Sequence, residues 1–406
     1  MVADASLIDG RHGWITVGAG FVSMATVFGV AYSFGAFFAP MADEFGASRS
    51  ATSAVFSITA CLYFLLGVVT GPAVDRVGPR PVLLAGAVAL GVGLLLTSFV
   101  DRLWLGYVTY GLGVGIGVAC GYVPMVAVVG GWFLRRRAAA LGTAVAGIGI
   151  GTLAVAPLAA SLIDHLGWRA TYRVLALGSF VALAGCAAVA KRPPRHLGSA
   201  PADVSAVRSP AFAVLYVTGL FVSLALFLVF IFLTPFAEEH GVAKVTAAAL
   251  VGIVGAASVV GRLGLGFLSD RLGSLRTYRG CFLAIALSYV LWMTTTTLPW
   301  LVTFAIVFGV AYGGFIALSP AVMADLFGTA GMGRLMGLLY TSAGIGALVG
   351  PPLAGFVIDR TGSYRWATGA AMALALIGWA GLWRLRPPAA AIDPVSPGAP
   401  SLAGDD

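Results

Sequence analysis

Apolar stretches of about twenty residues or more follow one another from residue 13 to residue 386, divided by short polar breaks. The approximate runs are 13–40, 51–73, 80–99, 103–130, 137–163, 170–190, 210–236, 245–268, 278–297, 299–326, 335–358 and 365–386. A helix needs about 20 consecutive apolar residues to cross a hydrocarbon core of about 30 Å. Lipid offers the backbone no hydrogen-bond partner, so only helices and closed barrels span it. These runs are too long for barrel strands and do not alternate. They predict an all-α membrane protein whose twelve transmembrane helices lie in the lipid bilayer.

Composition agrees with that pattern. Of the 406 residues, 59% are hydrophobic and 10% charged, against about 25% charged in a soluble domain. The net charge of +8 could suggest nucleic acid, but its distribution argues for topology and against a nucleic-acid partner. With the N-terminus placed in the cytoplasm, sixteen basic residues fall in inner segments and seven in outer ones. The positive-inside rule then places both termini in the cytoplasm, and the predominance of arginine over lysine hints at a GC-rich bacterial genome, hence a bacterial inner membrane. The first span is long and lacks a small-residue cleavage site, so it is expected to remain as a helix. Cys61, Cys120, Cys186 and Cys281 lie singly in apolar spans and read as packing residues. No nucleophile–base pair or metal cluster can be assembled, so neither an enzyme nor a metal or other cofactor is expected.

The chain repeats itself. Gly71-Pro-Ala-Val-Asp75-Arg76-Val-Gly78 closes the second run, and Gly266-Phe-Leu-Ser-Asp270-Arg271-Leu-Gly273 closes the eighth, 195 residues later. Ala146-Gly-Ile-Gly149, Pro157 and Asp164 recur as Ala343-Gly-Ile-Gly346, Pro352 and Asp359. The Pro and Asp matches are again 195 apart and the Gly matches 197, the second copy being shorter by two residues between them; two motif pairs at one period point to duplication. The expected organisation is an N-terminal six-helix bundle over 1–190, a basic cytoplasmic linker over 191–209, a second bundle over 210–386 and a disordered cytoplasmic tail over 387–406.

Several residues stand out chemically. Gly111-x-Gly-x-Gly-x-Gly117 and Gly147-x-Gly149-x-Gly151 are not nucleotide loops, because a dinucleotide fingerprint sits between strand and helix. Inside membrane spans, small residues let helices approach closely. Arg262 lies eight residues before Asp270, on the order of 12 Å inside the cytoplasmic boundary. An arginine at that depth usually faces a polar cavity, and its guanidinium matches a carboxylate with two parallel hydrogen bonds. A structural role, bonded to backbone carbonyls or reaching toward the cytoplasm, is the alternative. Ser258 is one turn before it and is expected on the same face. Tyr32, Tyr122, Tyr312 and Tyr340 each place a hydroxyl within a span. Asp75, Arg76, Asp270 and Arg271 are expected to latch the cytoplasmic side, where a carboxylate can meet a helix N-terminus or an arginine.

Six plus six helices in parallel repeats resembles the plan of major-facilitator transporters, in which substrate binds near the midplane between halves that rock. The duplicated Gly-x-x-x-Asp-Arg-x-Gly is similar to the loop motif between their second and third helices. Asp9-Gly10-Arg-His-Gly13-Trp14, Tyr32-Ser-Phe-Gly35, Glu44-Phe45-Gly46 and Ser48-Arg49-Ser50 resemble the entry signature of the monocarboxylate transporter family. Trp132-Phe133-Leu-Arg135-Arg136-Arg137, running on to Gly167-Trp168-Arg169, is similar to that family's fourth-to-fifth helix region. By that resemblance Arg262 is the eighth-helix arginine that binds the carboxylate. Animal members carry an aspartate one turn earlier and a lysine in the first helix, where this chain has Ser258 and Ala36. Oxalate/formate antiporters carry an eleventh-helix lysine, and 340–344 holds none. The resemblance implies a monomeric secondary transporter of a short monocarboxylate anion such as L-lactate or pyruvate, with a proton as co-substrate. That proton would ride on the substrate or on an end-of-helix acid such as Asp325 or Asp359. A carboxylate exchanger of the oxalate/formate type and a transporter-like membrane sensor are the alternatives.

Overall fold

The computed structural model describes residues 10–133, 137–193, 205–327 and 332–385, and its regular structure is helical. Fourteen α-helices follow in order. The first eight are α1 (Arg11–Tyr32), α2 (Phe34–Phe45), α3 (Arg49–Val77), α4 (Pro79–Thr97), α5 (Leu103–Gly121), α6 (Val123–Trp132), α7 (Arg137–Leu166) and α8 (Trp168–Val189). The other six are α9 (Pro210–Glu239), α10 (Lys244–Leu272), α11 (Ser274–Thr294), α12 (Leu298–Phe327), α13 (Met332–Thr361) and α14 (Tyr364–Gly381). Most of the expected linker, 194–204, and the whole expected tail, 387–406, lie outside the described residues.

Among the described residues, eleven spans are long and apolar enough to cross a bilayer, with α1–α2 and α5–α6 each forming one. The remaining predicted crossing is α11, whose early turns carry Arg276 and Arg279 and dilute its apolar stretch. Arg279 donates to the carbonyls of Leu382 and Leu385 just beyond α14, and its guanidinium lies over the Trp383 ring at 4.5 Å. The arginine is therefore supported from the neighbouring helix, with its charge held at the end of the crossing.

Two of the twelve crossings are interrupted. Ser33 bonds its own turn through Oγ to the Val30 carbonyl (2.8 Å), a competitor to the helical ladder, and separates α1 from α2. Tyr122 (φ −101°, ψ −77°) separates α5 from α6, just ahead of Pro124, which brings no N–H to the ladder. Their counterparts in the second half, α9 and α12, run unbroken at the same depth.

The packing repeats as the sequence does. In the first half α1 lies on α7, α3 on α5, and α4 on α5 and α8; in the second half α9 lies on α13, α10 on α12, and α11 on α12 and α14. Each of the six glycines with positive φ has its equivalent 195 residues away: Gly46 and Gly241, Gly78 and Gly273, Gly167 and Gly362. Those φ values exclude most side chains, so backbone geometry records the duplication. Across the seam α3 faces α13, α7 faces α10, and α2 meets α9.

Glycine sets the closeness of these contacts. Gly113 and Gly117 turn toward α4, and Gly111 and Gly115 toward α3. Gly147 and Gly151 accommodate the α1 carbonyls of Phe21 and Ala25, while Gly149 meets the Gly255 carbonyl of α10 across the seam. Both glycine strings are helix-packing surfaces.

The end of the molecule away from the arginine-rich loops is closed. Arg49 pairs with Glu239 (2.6 Å), and Tyr364 donates to the same carboxylate oxygen (2.8 Å). Asp359 accepts the backbone N–H groups of Arg49 and Ser50 at the start of α3 (3.1 Å each). The equivalent Asp164 pairs with Lys244 at the start of α10 (3.2 Å). Beneath these, Phe38 meets Phe232 with centroids 5.2 Å apart, and Tyr32 stacks on Phe230 at 4.2 Å.

Candidate functional site

Below that aromatic seal lies a pocket walled by both halves. Tyr32, Tyr122, Tyr312 and Tyr340 all line it. The two interrupted crossings explain half of this set, since Tyr32 ends α1 and Tyr122 is the residue between α5 and α6. Tyr32 and Tyr312 meet across the seam, with hydroxyl oxygens 3.2 Å apart. Phe28, Phe64, Phe227 and Phe315 supply much of the remaining wall. The wall also includes Ser223, Ser319 and Tyr278, which sequence reasoning does not single out, and the Tyr278 and Ser319 hydroxyls lie 3.3 Å apart. None of the lining residues is an acid or a histidine.

Arg262 occupies the seam between α7 and α10. Its Nη1 donates to the carbonyl of Val145 in the other half (2.8 Å). Its Nε and Nη2 are buried and have no hydrogen-bond partner among the described residues. Those two nitrogens form one edge of the guanidinium plane, the edge that grips a carboxylate with parallel bonds. Leaving such donors buried without acceptors costs about 1–3 kcal/mol each. Arg262 is nevertheless not among the residues lining the cavity. Its free edge is covered in this conformation.

Ser258 does not share that arrangement. Its hydroxyl donates to the Gly255 carbonyl (2.7 Å), and its backbone lies against Gly313 of α12. On α10 the face formed by Gly252, Gly255 and Val259 meets α7, and the face formed by Val254, Ser258 and Gly261 meets α12. Arg262, one turn further along the same side of α10, reaches to Val145 of α7, while the Ser258 hydroxyl turns back on its own helix.

Of the expected gating residues, Arg76 and Arg271 are exposed at the arginine-rich end, and the Arg76 carbonyl accepts a bond from Arg192 (2.6 Å). The side chains of Asp75 and Asp270 lie outside what the structure describes, as do Arg135 and Arg136. Asp359, a candidate proton carrier, is engaged at the start of α3. No group of three or more His, Cys, Asp or Glu side chains stands together among the described residues in a way that could hold a metal ion.

The family model described as Major Facilitator Superfamily matches residues 19–295 and 215–402. Monocarboxylate transporter 12-B of Danio rerio is 31% identical over 399 residues, an alignment covering 88% of this chain and 83% of the relative. Monocarboxylate transporter 12 of Rattus norvegicus is 32% identical over 407 residues, covering 89% and 83%. Monocarboxylate transporter 3 of the same organism is 31% identical over 375 residues, covering 88% and 76%. Among solved structures, a bacterial homolog of the human lysosomal transporter Spinster, captured inward-facing and unoccupied, aligns with a TM-score of 0.72. That alignment covers 92% of this chain and 97% of the other at 14% identity, so the likeness is one of fold.

Proposed function

Because the chain belongs to the major facilitator superfamily and is homologous to its monocarboxylate transporters, we propose that this membrane transporter carries a monocarboxylate anion by alternating access. L-lactate and pyruvate are the simplest substrates of the proposed class. The observation that carries the reading is the unpartnered Nε/Nη2 edge of Arg262, buried at the seam between the halves. A single bidentate cation matches a single carboxylate. Tyr32, Tyr122, Tyr312 and Tyr340 surround the substrate, and Arg262 receives its charge once the α7–α10 seam parts. With the arginine-rich end and both termini in the cytoplasm of a bacterial inner membrane, the closed end faces outward and this conformation faces inward. Asp75, Arg76, Asp270 and Arg271 then latch the opposite state. Ser258 acts through the packing of α10 on α12 and not by touching substrate.

A co-transported proton completes the proposal. The cavity wall holds no acid or histidine, so the proton travels with the substrate or on an acid at a helix end. The same observation favours carboxylate exchange as the second reading, since exchange needs no proton carrier. Uptake of labelled L-lactate and pyruvate into proteoliposomes, with and without an inward proton gradient, tests both. Stimulation by the gradient supports symport; stimulation only by internal carboxylate supports exchange. Arg262→Gln removes the charge and the fork, and two charge-assisted bonds at about 1.5–3 kcal/mol each predict a fall of 100-fold or more. Transport at wild-type affinity in that variant would remove the arginine from the mechanism.

A further inference from the structure

The two halves treat equivalent carboxylates differently. Glu44, near the end of α2, is held inside its own half: Trp168 donates to one oxygen and Arg169 to the other, at 2.6 Å each. Arg169 also donates to the carbonyls of Ser98 (3.2 Å) and Val100 (2.7 Å) between α4 and α5. Glu239, 195 residues later at the end of α9, is the equivalent acid. The second copy gains one residue before its last helix, so Tyr364 opens α14 where Trp168 opens α8. Tyr364 accordingly donates to Glu239 (2.8 Å), and the next residue, Arg365, is the equivalent of Arg169.

Arg365 does not do what Arg169 does. It is exposed and forms no ion pair among the described residues. Glu239 is taken instead by Arg49 of the other half (2.6 Å). The bonds from Arg49 and Tyr364 fall on one oxygen, Oε1, whereas both oxygens of Glu44 are engaged. Glu239, Tyr364 and Arg365 line a pocket together with Met293 and Thr295. Those last two are the counterparts, 195 residues on, of Ser98 and Val100. The pocket therefore occupies the place that the Arg169 side chain fills in the first half.

We propose that Arg365 is a positioning residue of the transport cycle: when the closed end opens and Arg49 departs with α3, Arg365 turns into this pocket and takes over Glu239. The proposal rests on the alternating-access reading. Exchanging one arginine for another is a repacking of interface ion pairs, a common element of two-state transitions. It keeps the carboxylate paired in both states, so opening does not strand a charge. A latch with no replacement partner would instead favour the closed state by the whole worth of the pair.

The test is made on the full-length protein in proteoliposomes, carrying Thr234→Cys in α9, a buried position against Gly35 across the seam. The readout is the rate at which a membrane-impermeant maleimide, added to the closed side, labels that cysteine. Arg365→Gln is expected to slow labelling about twofold to fivefold, the range of an exposed ion pair, and Arg365→Lys to restore most of the rate. Glu239→Gln removes the charge that both arginines bind, so in that background Arg365→Gln is expected to change nothing further. Unchanged labelling in Arg365→Gln, or the same slowing with and without Glu239→Gln, overturns the proposal. Arg49→Gln tests the reading beneath it. Faster labelling there upholds the latch whatever Arg365→Gln does, and unchanged labelling overturns the latch while the Arg365–Glu239 comparison still decides its own claim.

Discussion

Removing the Asp359 carboxylate should open the closed end of the transporter. Its two oxygens accept the N–H groups of Arg49 and Ser50 at 3.1 Å each, tying the end of α13 in one half to the first turn of α3 in the other. Asp359→Asn retains one acceptor oxygen and loses the charge that the helix terminus favours. A capping bond contributes about 0.5–2 kcal/mol and a charge at a helix N-terminus about 0.3–1 kcal/mol. The loss is therefore about 1 kcal/mol, or roughly a fivefold shift between states. Asp164→Asn should do less, because its partner Lys244 is 60% exposed at the side chain and such surface pairs contribute about 0–1 kcal/mol. The assay is the rate at which a membrane-impermeant maleimide, added to the closed side, labels Thr234→Cys. Thr234 is buried beneath the ion pairs, against Gly35 across the seam. A rise of about fivefold with Asp359→Asn and a smaller rise with Asp164→Asn are expected. Unchanged labelling in Asp359→Asn, or a larger effect from Asp164→Asn, would refute this account of the latch.

Backbone geometry and the seam give two more tests. Gly78 (φ 91°) and Gly273 (φ 88°) both hold conformations that a side chain disfavours, so alanine at either should lower thermal stability by about 1–2 kcal/mol. Gly78→Ala should be the worse of the two, because a Cβ there also meets the Arg192 guanidinium at 2.6 Å while nothing stands near Gly273; equal melting temperatures would contradict this. Gly149→Val would drive a side chain into the Gly255 backbone of α10, so the variant should reach the membrane at normal levels yet lose most uptake, and wild-type uptake would show that the seam need not close so tightly.

The helices and their repetition are legible in the sequence because they are local properties: apolar length sets a crossing, and a duplicated Asp-Arg-x-Gly sets a period. Arg262 is legible for a similar reason, since its depth follows from counting residues along one helix. Tyr32, Tyr122, Tyr312 and Tyr340 can be named as intramembrane hydroxyls, but their arrival on one cavity depends on how the halves dock. Ser258 shows the limit of helical spacing. It shares a side of α10 with Arg262, but what each side chain reaches, its own helix turn or Val145 of α7, depends on side-chain length and on how the halves dock. The repeat flags Asp164 and Asp359 as equivalent, yet their different partners appear only across the docked seam.

The interruptions at Ser33 and Tyr122 have no equivalent at the same depth in α9 and α12. A helix bends most readily where its hydrogen-bond ladder is broken, so the two copies share an architecture but differ in mechanical compliance. As the carrier switches sides, the amino-terminal copy can pivot at cavity height and carry its tyrosines with it. In the carboxy-terminal copy the ladder is instead interrupted by prolines inside continuous helices, Pro235 in α9 and Pro320 in α12, so the two walls turn about different points.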